Sequence, residues 1–197
     1  MFKRIENNID FAENEDKISN YWSDIDAFQK SLDIRKESKI FRFYDGPPFP
    51  TGSPHYGNLL AGVIKDIVPR YWTMRGYFVE RRFGWDVHGL PIEMEVQKEL
   101  GLEDPQDIDD YGIDKFNEAC RSQVQTNTEN WEKITRKIGR WVDFENDYKT
   151  MDVGFMESVW WVFKELFDKN LIYKDYKVLP YSWAASTPLS NFEANMD

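Results

Sequence analysis

The chain is poor in the features that mark secreted and membrane proteins. Its 197 residues include a single cysteine, Cys120, so no internal disulfide can form, although disulfides are the usual staple of small secreted domains. No segment approaches the roughly 20 consecutive apolar residues of a membrane-spanning helix. The N-terminus also has no apolar stretch of signal-peptide length. We therefore expect a soluble, cytoplasmic protein.

An excess of positive charge is missing as well. The chain carries 25 Lys and Arg against 35 Asp and Glu, which gives a formal net charge of −10. Proteins that grip nucleic acid through its phosphates present clustered Lys and Arg. A nucleic-acid partner would therefore find its main contact surface elsewhere or in a local patch. Hydrophobic residues make up 41% of the chain, which is enough to build a core.

Histidine is scarce, and both copies lie in segments rich in glycine and proline. His55 lies in the segment 46–58 and His88 in the segment 84–91, and seven of the eleven glycines fall within residues 46–89. Glycine lets a ligand approach the backbone closely, and a helix that starts after such a loop presents free N–H groups to an anion. This combination is typical of a site that handles phosphate.

Hydrophobic periodicity places these segments in an alternation of strand and helix. Residues 40–44 are aromatic and partly alternating, which predicts a strand. Apolar residues at spacings of three and four from Leu59 to Tyr71 predict a helix that ends near Gly76, and residues 77–82 predict a second strand. Strand, loop, helix and strand in this order form the βαβ unit of a parallel sheet, so the predicted fold class is α/β.

The remaining segments are predicted to be mostly helical. Helices are expected over 13–32, from Pro91 to Leu100, over 114–138 and over 152–168, with a strand or ribbon over 171–180. The acidic segment 103–114 lacks the ligand and glycine pattern of an EF-hand. We interpret it as a solvated loop and helix start rather than a metal site.

The first segment could hold a nucleotide at the start of the helix that follows it. Gly57 leaves room for a base or ribose, His55 could donate a hydrogen bond to a phosphoryl oxygen, and Asn58 adds a neutral donor. None of the three is an obvious nucleophile, so the expected chemistry is positioning and charge stabilisation at phosphorus. The alternative is a packed loop in which His55 only caps the helix.

The second segment follows the second predicted strand. Ligands of a doubly wound sheet lie beyond the carboxyl ends of the strands, so both segments should face one crevice. Asp86 could bind a substrate ammonium group there, and Trp85 could wall the pocket. The alternative for Asp86 is a side-chain cap of its own loop. For His88 we favour a role in orienting the loop over proton transfer.

The two segments resemble those of class I aminoacyl-tRNA synthetases. His55-Tyr-Gly-Asn58 is similar to the family's His-Ile-Gly-His element, with Asn in the last place. The stretch from Gly84 to Glu93 resembles the isoleucyl members more specifically. Leucyl members usually carry Phe-Gly in place of His88-Gly89, and valyl and methionyl members open this loop with Gly-Thr-Asp. The resemblance continues through residues 187–193, so it covers nearly the whole chain.

The resemblance implies a fold and a reaction. The fold would be the first half of a Rossmann-type (HUP-like) parallel-sheet catalytic domain with an N-terminal helical arm. The arm would span 1–37 and the half-domain 38–179, and a ribbon over 180–197 would lead towards an inserted editing domain. The reaction would be activation of isoleucine by ATP, accompanied by Mg²⁺, to isoleucyl-adenylate and pyrophosphate, followed by transfer to tRNA(Ile).

The resemblance also implies roles for individual residues. ATP would be contacted by three residues of the first segment: His55, Gly57 and Asn58. Isoleucine would be contacted by residues of both segments: Gly46, Pro47, Trp85 and Asp86. Asp86 would bind the α-ammonium group, while His55 and Asn58 would take part in catalysis. No zinc is expected, because no cysteine lies near 182–187, where some relatives place zinc ligands.

Two parts of the family pattern are missing from the chain, namely a Lys-Met-Ser-Lys-Ser-like loop and the editing domain. We therefore expect the N-terminal piece of a longer enzyme that is inactive alone, with its main tRNA contacts elsewhere. Two other hypotheses stay open. One is a free-standing nucleotidyltransferase of similar fold, and the other is a non-catalytic protein that binds a nucleotide or a partner protein.

Overall fold

The computed structural model describes residues 9–184, 186–191 and 194. The chain forms two compact units, residues 1–156 and 157–197. The described elements, in chain order, are α1 (Phe11–Asp24), α2 (Ala27–Asp33), α3 (Tyr56–Met74), β1 (Arg82–Trp85), α4 (Leu90–Leu100), α5 (Pro105–Tyr111), α6 (Ile113–Lys137), β2 (Asp143–Lys149), α7 (Val153–Asp168), β3 (Tyr181–Ser182) and β4 (Thr187–Pro188). The architecture is therefore a mixture of α and β.

The first unit contains the parallel sheet that the sequence predicts. β1 and β2 pair in parallel, with Arg82 opposite Asp143 and Gly84 opposite Tyr148. A further parallel bridge joins Ile40 to Phe78. The expectation of an α/β fold with parallel pairing is confirmed.

The two predicted strands are shorter or displaced in the structure. Within the described residues, segment 40–44 contributes a bridge at Ile40 and no longer ladder, and the regular pairing of the next strand starts at Arg82 rather than at residue 77. Beyond the bridge the chain soon reaches Pro47 and Pro48, which have no N–H to donate to a ladder. The aromatic pattern therefore predicted a longer first strand than the backbone forms.

Strand β2 is absent from the sequence-based prediction. Five of its seven residues (Asp-Phe-Glu-Asn-Asp-Tyr-Lys) are polar or charged, and such residues are mostly disfavoured in strands. Asp143 Oδ1 accepts the N–H groups of Glu145 at 2.9 Å and Asn146 at 3.0 Å. This local turn coincides with the register shift between the first and second pairs of the ladder. Pairing with β1, and not local propensity, makes this segment a strand.

The helix predictions hold for long periodic segments and fail at the N-terminal one. The ranges of α4, α6 and α7 match the prediction to within about one or two residues. The predicted helix over 13–32 is instead two helices, because Asp26 adopts a left-handed conformation with φ 50° and ψ 50°, which Asp tolerates better than most residues. The tail over 171–180 forms no strand in the described structure, and the short antiparallel pair β3 and β4 follows it.

The acidic segment 103–114, predicted as a solvated loop and helix start, contains the separate helix α5. Asp107 Oδ2 accepts the N–H groups of both Glu103 and Asp104 at 2.9 Å. This one oxygen satisfies both donors at the start of the helix, and negative charge there is favourable. The carboxylates therefore start a helix.

The core of the first unit lies around the sheet. Three consecutive residues of β1 are buried, ending with Trp85 at 1% exposure. A strand covered on both faces is typical of parallel sheets. The buried cluster contains residues from β1, its following loop, α4, α6 and the β2 region: Phe83, Trp85, Val87, Ile92, Val124, Trp131, Val142 and Phe144.

Helix α3 exposes apolar side chains and turns some of its charged side chains inward. Its apolar residues Leu60, Ile64 and Ile67 are 62%, 55% and 59% exposed. The side chains of Lys65 and Asp66 are only 31% and 14% exposed. This is the reverse of the usual arrangement, in which the apolar face of an amphipathic helix packs on the core. Polar groups face inward because they bind neighbouring loops, as described below.

We expect Gly84→Ala to destabilise the first unit by about 1–3 kcal/mol, because overpacking forces neighbouring groups to move. A Cβ at this position would lie 2.2–2.5 Å from atoms of the Tyr148 ring, whereas real Cβ contacts essentially never fall below 3.0 Å. Urea denaturation would measure the change. In a Tyr148→Ala background the same substitution should be much less harmful. Equal losses in both backgrounds would show that the ring contact is not the cause.

Candidate active site

The start of α3 is built by a reciprocal pair of hydrogen bonds. His55 is the N-cap, and its Nδ1 accepts the N–H of Asn58 at 3.3 Å. Asn58 Oδ1 in turn accepts the N–H of His55 at 3.0 Å. Each side chain thus satisfies a backbone donor that the helix itself leaves without a partner. His55 therefore caps the helix, as the alternative interpretation of this residue required.

The cap also fixes the chemistry of the imidazole. Because Nδ1 of His55 accepts a hydrogen bond, the neutral ring carries its proton on Nε2. The ring is exposed, so the Nε2–H donor remains available to a ligand. Gly57 makes this arrangement possible, since a Cβ there would lie 2.9 Å from Cε1 and 3.1 Å from Nδ1 of His55. Capping and donation to a ligand are compatible functions of one ring.

A cavity of about 200 Å³ lies beside this helix start. Gly46 and Pro47 of the proline-rich loop line it together with Asn58, so the structure brings these three predicted site residues together. Trp131 of α6 also lines the cavity, and its Nε1 donates to the carbonyl of Gly52 at 2.8 Å. This bond ties the middle of the loop to α6.

The loop after β1 meets the proline-rich loop through the backbone. The N–H of Asp86 donates to the carbonyl of Pro48 at 2.9 Å. The Thr150 hydroxyl accepts the N–H of Val87 at 2.9 Å and lies 3.5 Å from Asp86 Oδ1. The Asp86 carboxylate is therefore held between the loop and the end of the β2 region.

The electrostatic state of Asp86 is that of a partly desolvated acid. Burial raises the pKa of its carboxyl group, and a backbone hydrogen bond from His88, the charge of that residue and the Thr150 hydroxyl oppose the rise. A carboxylate whose ionised form is disfavoured gains from a cation placed next to it. Perturbed groups of this kind are concentrated at functional sites.

Two residues of the second segment lie elsewhere. Trp85 is 1% exposed and belongs to the core, where its Nε1 donates to Asp147 Oδ2 at 2.6 Å. It is not among the described residues that line the 200 Å³ cavity. Trp85 could therefore contribute to the pocket only by supporting the neighbouring loop from the core. The His88 side chain is exposed. Its backbone bond to Asp86 is consistent with a role in orienting the loop.

Three charged residues near the cavity were missed by sequence reasoning. Asp45 pairs with Lys65, whose Nζ lies 2.7 Å from Oδ1, and with Arg140 through Oδ2. Lys65 and Arg140 also line the cavity. The three residues lie far apart in the chain, so no local spacing relates them.

Two properties of the described residues bear on the class of site. They contain no group of three or more His, Cys, Asp and Glu side chains arranged to hold a metal ion. None of their helices is both long and apolar enough to traverse a bilayer.

Comparison with known proteins identifies the family. Residues 17–197 match the family model described as tRNA synthetases class I (I, L, M and V). The chain is 53% identical over 196 residues to the isoleucine–tRNA ligase of Treponema denticola, covering 100% of this chain and 18% of that protein. It is 53% identical over 187 residues to the cytoplasmic isoleucine–tRNA ligase of Saccharomyces cerevisiae, covering 95% of this chain and 17% of the yeast protein.

Structural comparison supports the same family at the level of the fold. The backbone resembles a leucyl enzyme of Agrobacterium radiobacter, crystallised as a ternary LeuRS–tRNA–LeuAMS complex, with a TM-score of 0.64. The match has 22% sequence identity and covers 93% of this chain and 21% of that one. The chain thus spans less than a quarter of the length of these relatives.

Proposed function

Since the chain belongs to the class I tRNA synthetases, we propose that it forms part of an isoleucine–tRNA ligase. The observation that carries this proposal is the identity of more than half of the aligned residues to isoleucine–tRNA ligases along essentially the whole chain. The reaction is the attack of the isoleucine carboxylate on the α-phosphorus of ATP, which releases pyrophosphate and leaves isoleucyl-adenylate. The isoleucyl group then passes to a hydroxyl of the terminal adenosine of tRNA(Ile), and AMP leaves.

In this proposal Asp86 binds the α-ammonium group of isoleucine. The carboxylate is partly desolvated, and its near partners are a hydroxyl at 3.5 Å and a backbone donor. A substrate ammonium would place a further positive charge beside the carboxylate and would favour the ionised form of Asp86. Gly46 and Pro47 line the adjacent cavity, and the 2.9 Å bond from the Asp86 N–H to the Pro48 carbonyl fixes their spacing from the carboxylate.

ATP is proposed to bind at the start of α3. The helix terminus offers free N–H groups and partial positive charge to a phosphate. The exposed ring of His55 carries its proton on Nε2, because Nδ1 accepts the Asn58 N–H. This donor can stabilise charge that develops on a phosphoryl oxygen, while Asn58 keeps the ring in place and Gly57 leaves space for the nucleotide. Mg²⁺ would accompany ATP and neutralise charge on its phosphates.

The sheet is proposed to be the first half of a Rossmann-type catalytic domain. A parallel bridge joins Ile40 to Phe78, and β1 pairs in parallel with β2, which supports the first half of a Rossmann-type sheet. The arm over 1–37 contains α1 and α2. The half-domain over 38–179 and the ribbon over 180–197 are proposed on the resemblance alone. With a net charge of −10, the main tRNA contacts are proposed to lie outside these residues.

Isoleucine-dependent exchange between ATP and labelled pyrophosphate tests the proposal. We expect very weak or no exchange from residues 1–197 alone, because some catalytic groups are proposed to lie outside them. The product of the complete reading frame should exchange with isoleucine and much less with leucine. A preference for leucine would point to another member of the family, and adenylylation that ignores amino acids would favour a nucleotidyltransferase. Strong exchange from residues 1–197 would refute the proposed incompleteness.

A further inference from the structure

The turn that carries Gly46 and Pro47 is fastened at both ends. At its start, the Lys65 ammonium donates to the carbonyl of Gly46 at 2.7 Å. At its end, the carbonyl of Pro48 accepts the N–H of Asp86 at 2.9 Å. The two prolines between these bonds have a fixed φ and no N–H of their own. A displacement at one end is therefore transmitted to the other.

A nearly buried group of charges holds Lys65 in place. Asp45 lies between Lys65 and Arg140, and the side chains of Asp45 and Arg140 are only 8% and 7% exposed. Lys65 Nζ lies 2.7 Å from Asp45 Oδ1, and the same ammonium donates to the Gly46 carbonyl. The Arg140 guanidinium also lies 5.2 Å from the centre of the Phe83 ring, against the core.

Such a cluster is poorly explained by stability alone. Buried ion pairs are often no more stable than apolar residues of the same volume, since removing charge from water is costly. What the cluster does provide is a fixed direction for the Lys65 ammonium. That ammonium contacts the backbone of the very turn that lines the cavity.

We propose that Lys65 is a positioning residue for the amino-acid site. Held by Asp45, its ammonium orients the Gly46 carbonyl and, through Pro47 and Pro48, keeps Asp86 at its correct distance from the pocket wall. This inference rests on the proposed function insofar as the pocket takes isoleucine. The mechanical part, that Lys65 holds the Asp86 loop in place, does not depend on the ligand.

Hydrogen exchange of the 197-residue chain, followed by NMR, tests the mechanical part. In Lys65→Met the Asp86 amide should exchange about tenfold faster or more, because opening of its bond to Pro48 becomes easier. The Val124 amide of the α6 core should be unchanged. Lys17→Met is the matched control, since Lys17 forms an ion pair of the same 2.7 Å length but is 65% exposed. Lys65→Arg retains charge and donors and should recover most of the protection.

Two results in this experiment would overturn the inference. One is an unchanged exchange rate of the Asp86 amide in folded Lys65→Met. The other is a uniform rise over all core amides that Lys65→Arg fails to reverse, since this would show a purely structural role. If Lys65→Met does not fold, Lys65→Gln, which keeps a donor but no charge, is measured in its place and must show the same selective loss at Asp86.

Steady-state kinetics of the complete reading-frame product test the functional part. Lys65→Met should raise KM for isoleucine about 10- to 100-fold, since small misplacements of a positioning group have effects of this size. KM for ATP should change by less than about twofold, because the substitution leaves the proposed ATP contacts at the start of α3 unchanged. Equal changes in both constants would contradict the inference. Absence of isoleucine-dependent exchange in the wild type would defeat the proposed function instead, and the Asp86 amide would still decide the mechanical part.

Discussion

Replacing Asp86 by alanine is expected to weaken isoleucine binding about 10- to 100-fold, because a hydrogen bond to a charged group contributes roughly 1.5–3 kcal/mol. The affinity for ATP should stay nearly unchanged, since the proposed nucleotide contacts lie at the start of α3. Equilibrium binding of each ligand to the complete reading-frame product measures both effects. Unchanged isoleucine binding would remove the role assigned to Asp86.

A chemical control makes the Asp86 experiment specific for the ammonium group. 3-Methylpentanoic acid has the shape of isoleucine without its amine. The wild type should bind this acid far more weakly than isoleucine, and Asp86→Ala should discriminate between the two ligands much less. Asp86→Asn keeps the shape of the side chain and removes the charge, so it should behave like alanine. Retained discrimination in both variants would locate the ammonium contact elsewhere.

The pH dependence of folding separates lost binding from lost stability. Burial raises the pKa of Asp86 above its ordinary value of 3.8. A raised acid pKa means that this group opposes folding once it ionises, so its contribution becomes less favourable as the pH rises through the folded pKa. Asp86→Asn removes the ionisable carboxyl group, and with it this unfavourable contribution to folding near neutral pH. Weak binding by that variant at pH 7 is therefore not expected to arise from unfolding.

Replacing His55 by alanine is expected to slow adenylate formation about 100- to 1000-fold, the usual effect of removing one donor that stabilises transition-state charge. ATP affinity should fall much less, because the Nε2–H bond strengthens as charge develops on the phosphoryl oxygen. Rapid-quench measurement of the first turnover gives the rate of adenylate formation, and equilibrium binding gives the affinity for ATP. Equal losses of rate and affinity would indicate a simple ground-state contact.

The capping function of His55 requires its own control. Alanine also removes the acceptor for the Asn58 N–H, and loss of a cap costs about 1 kcal/mol of stability. Asparagine is a good cap but has no imidazole, so His55→Asn should recover stability without recovering the rate. If His55→Asn recovers the rate as well, His55 serves only as a helix cap.

The sequence by itself determined the features that depend on neighbouring residues. The helices α4, α6 and α7 follow from their apolar spacing, and the family follows from two short segments around His55 and Asp86. The helix start at His55 also follows from local chemistry, since its partner Asn58 is three residues away. Interactions of this range are formed by the chain whatever the remainder of the molecule does.

Only the tertiary structure decided the features that join distant segments. β2 is a strand because it pairs with β1, and Trp85 is a core residue because both faces of β1 are covered. Asp45 meets Arg140 across 95 positions of sequence, and Asp86 meets Pro48 through the backbone. No local pattern encodes such contacts, because which groups meet depends on how helices and strands pack around a shared core. The chemistry of the two segments could be predicted, whereas the charged cluster that holds them together could not.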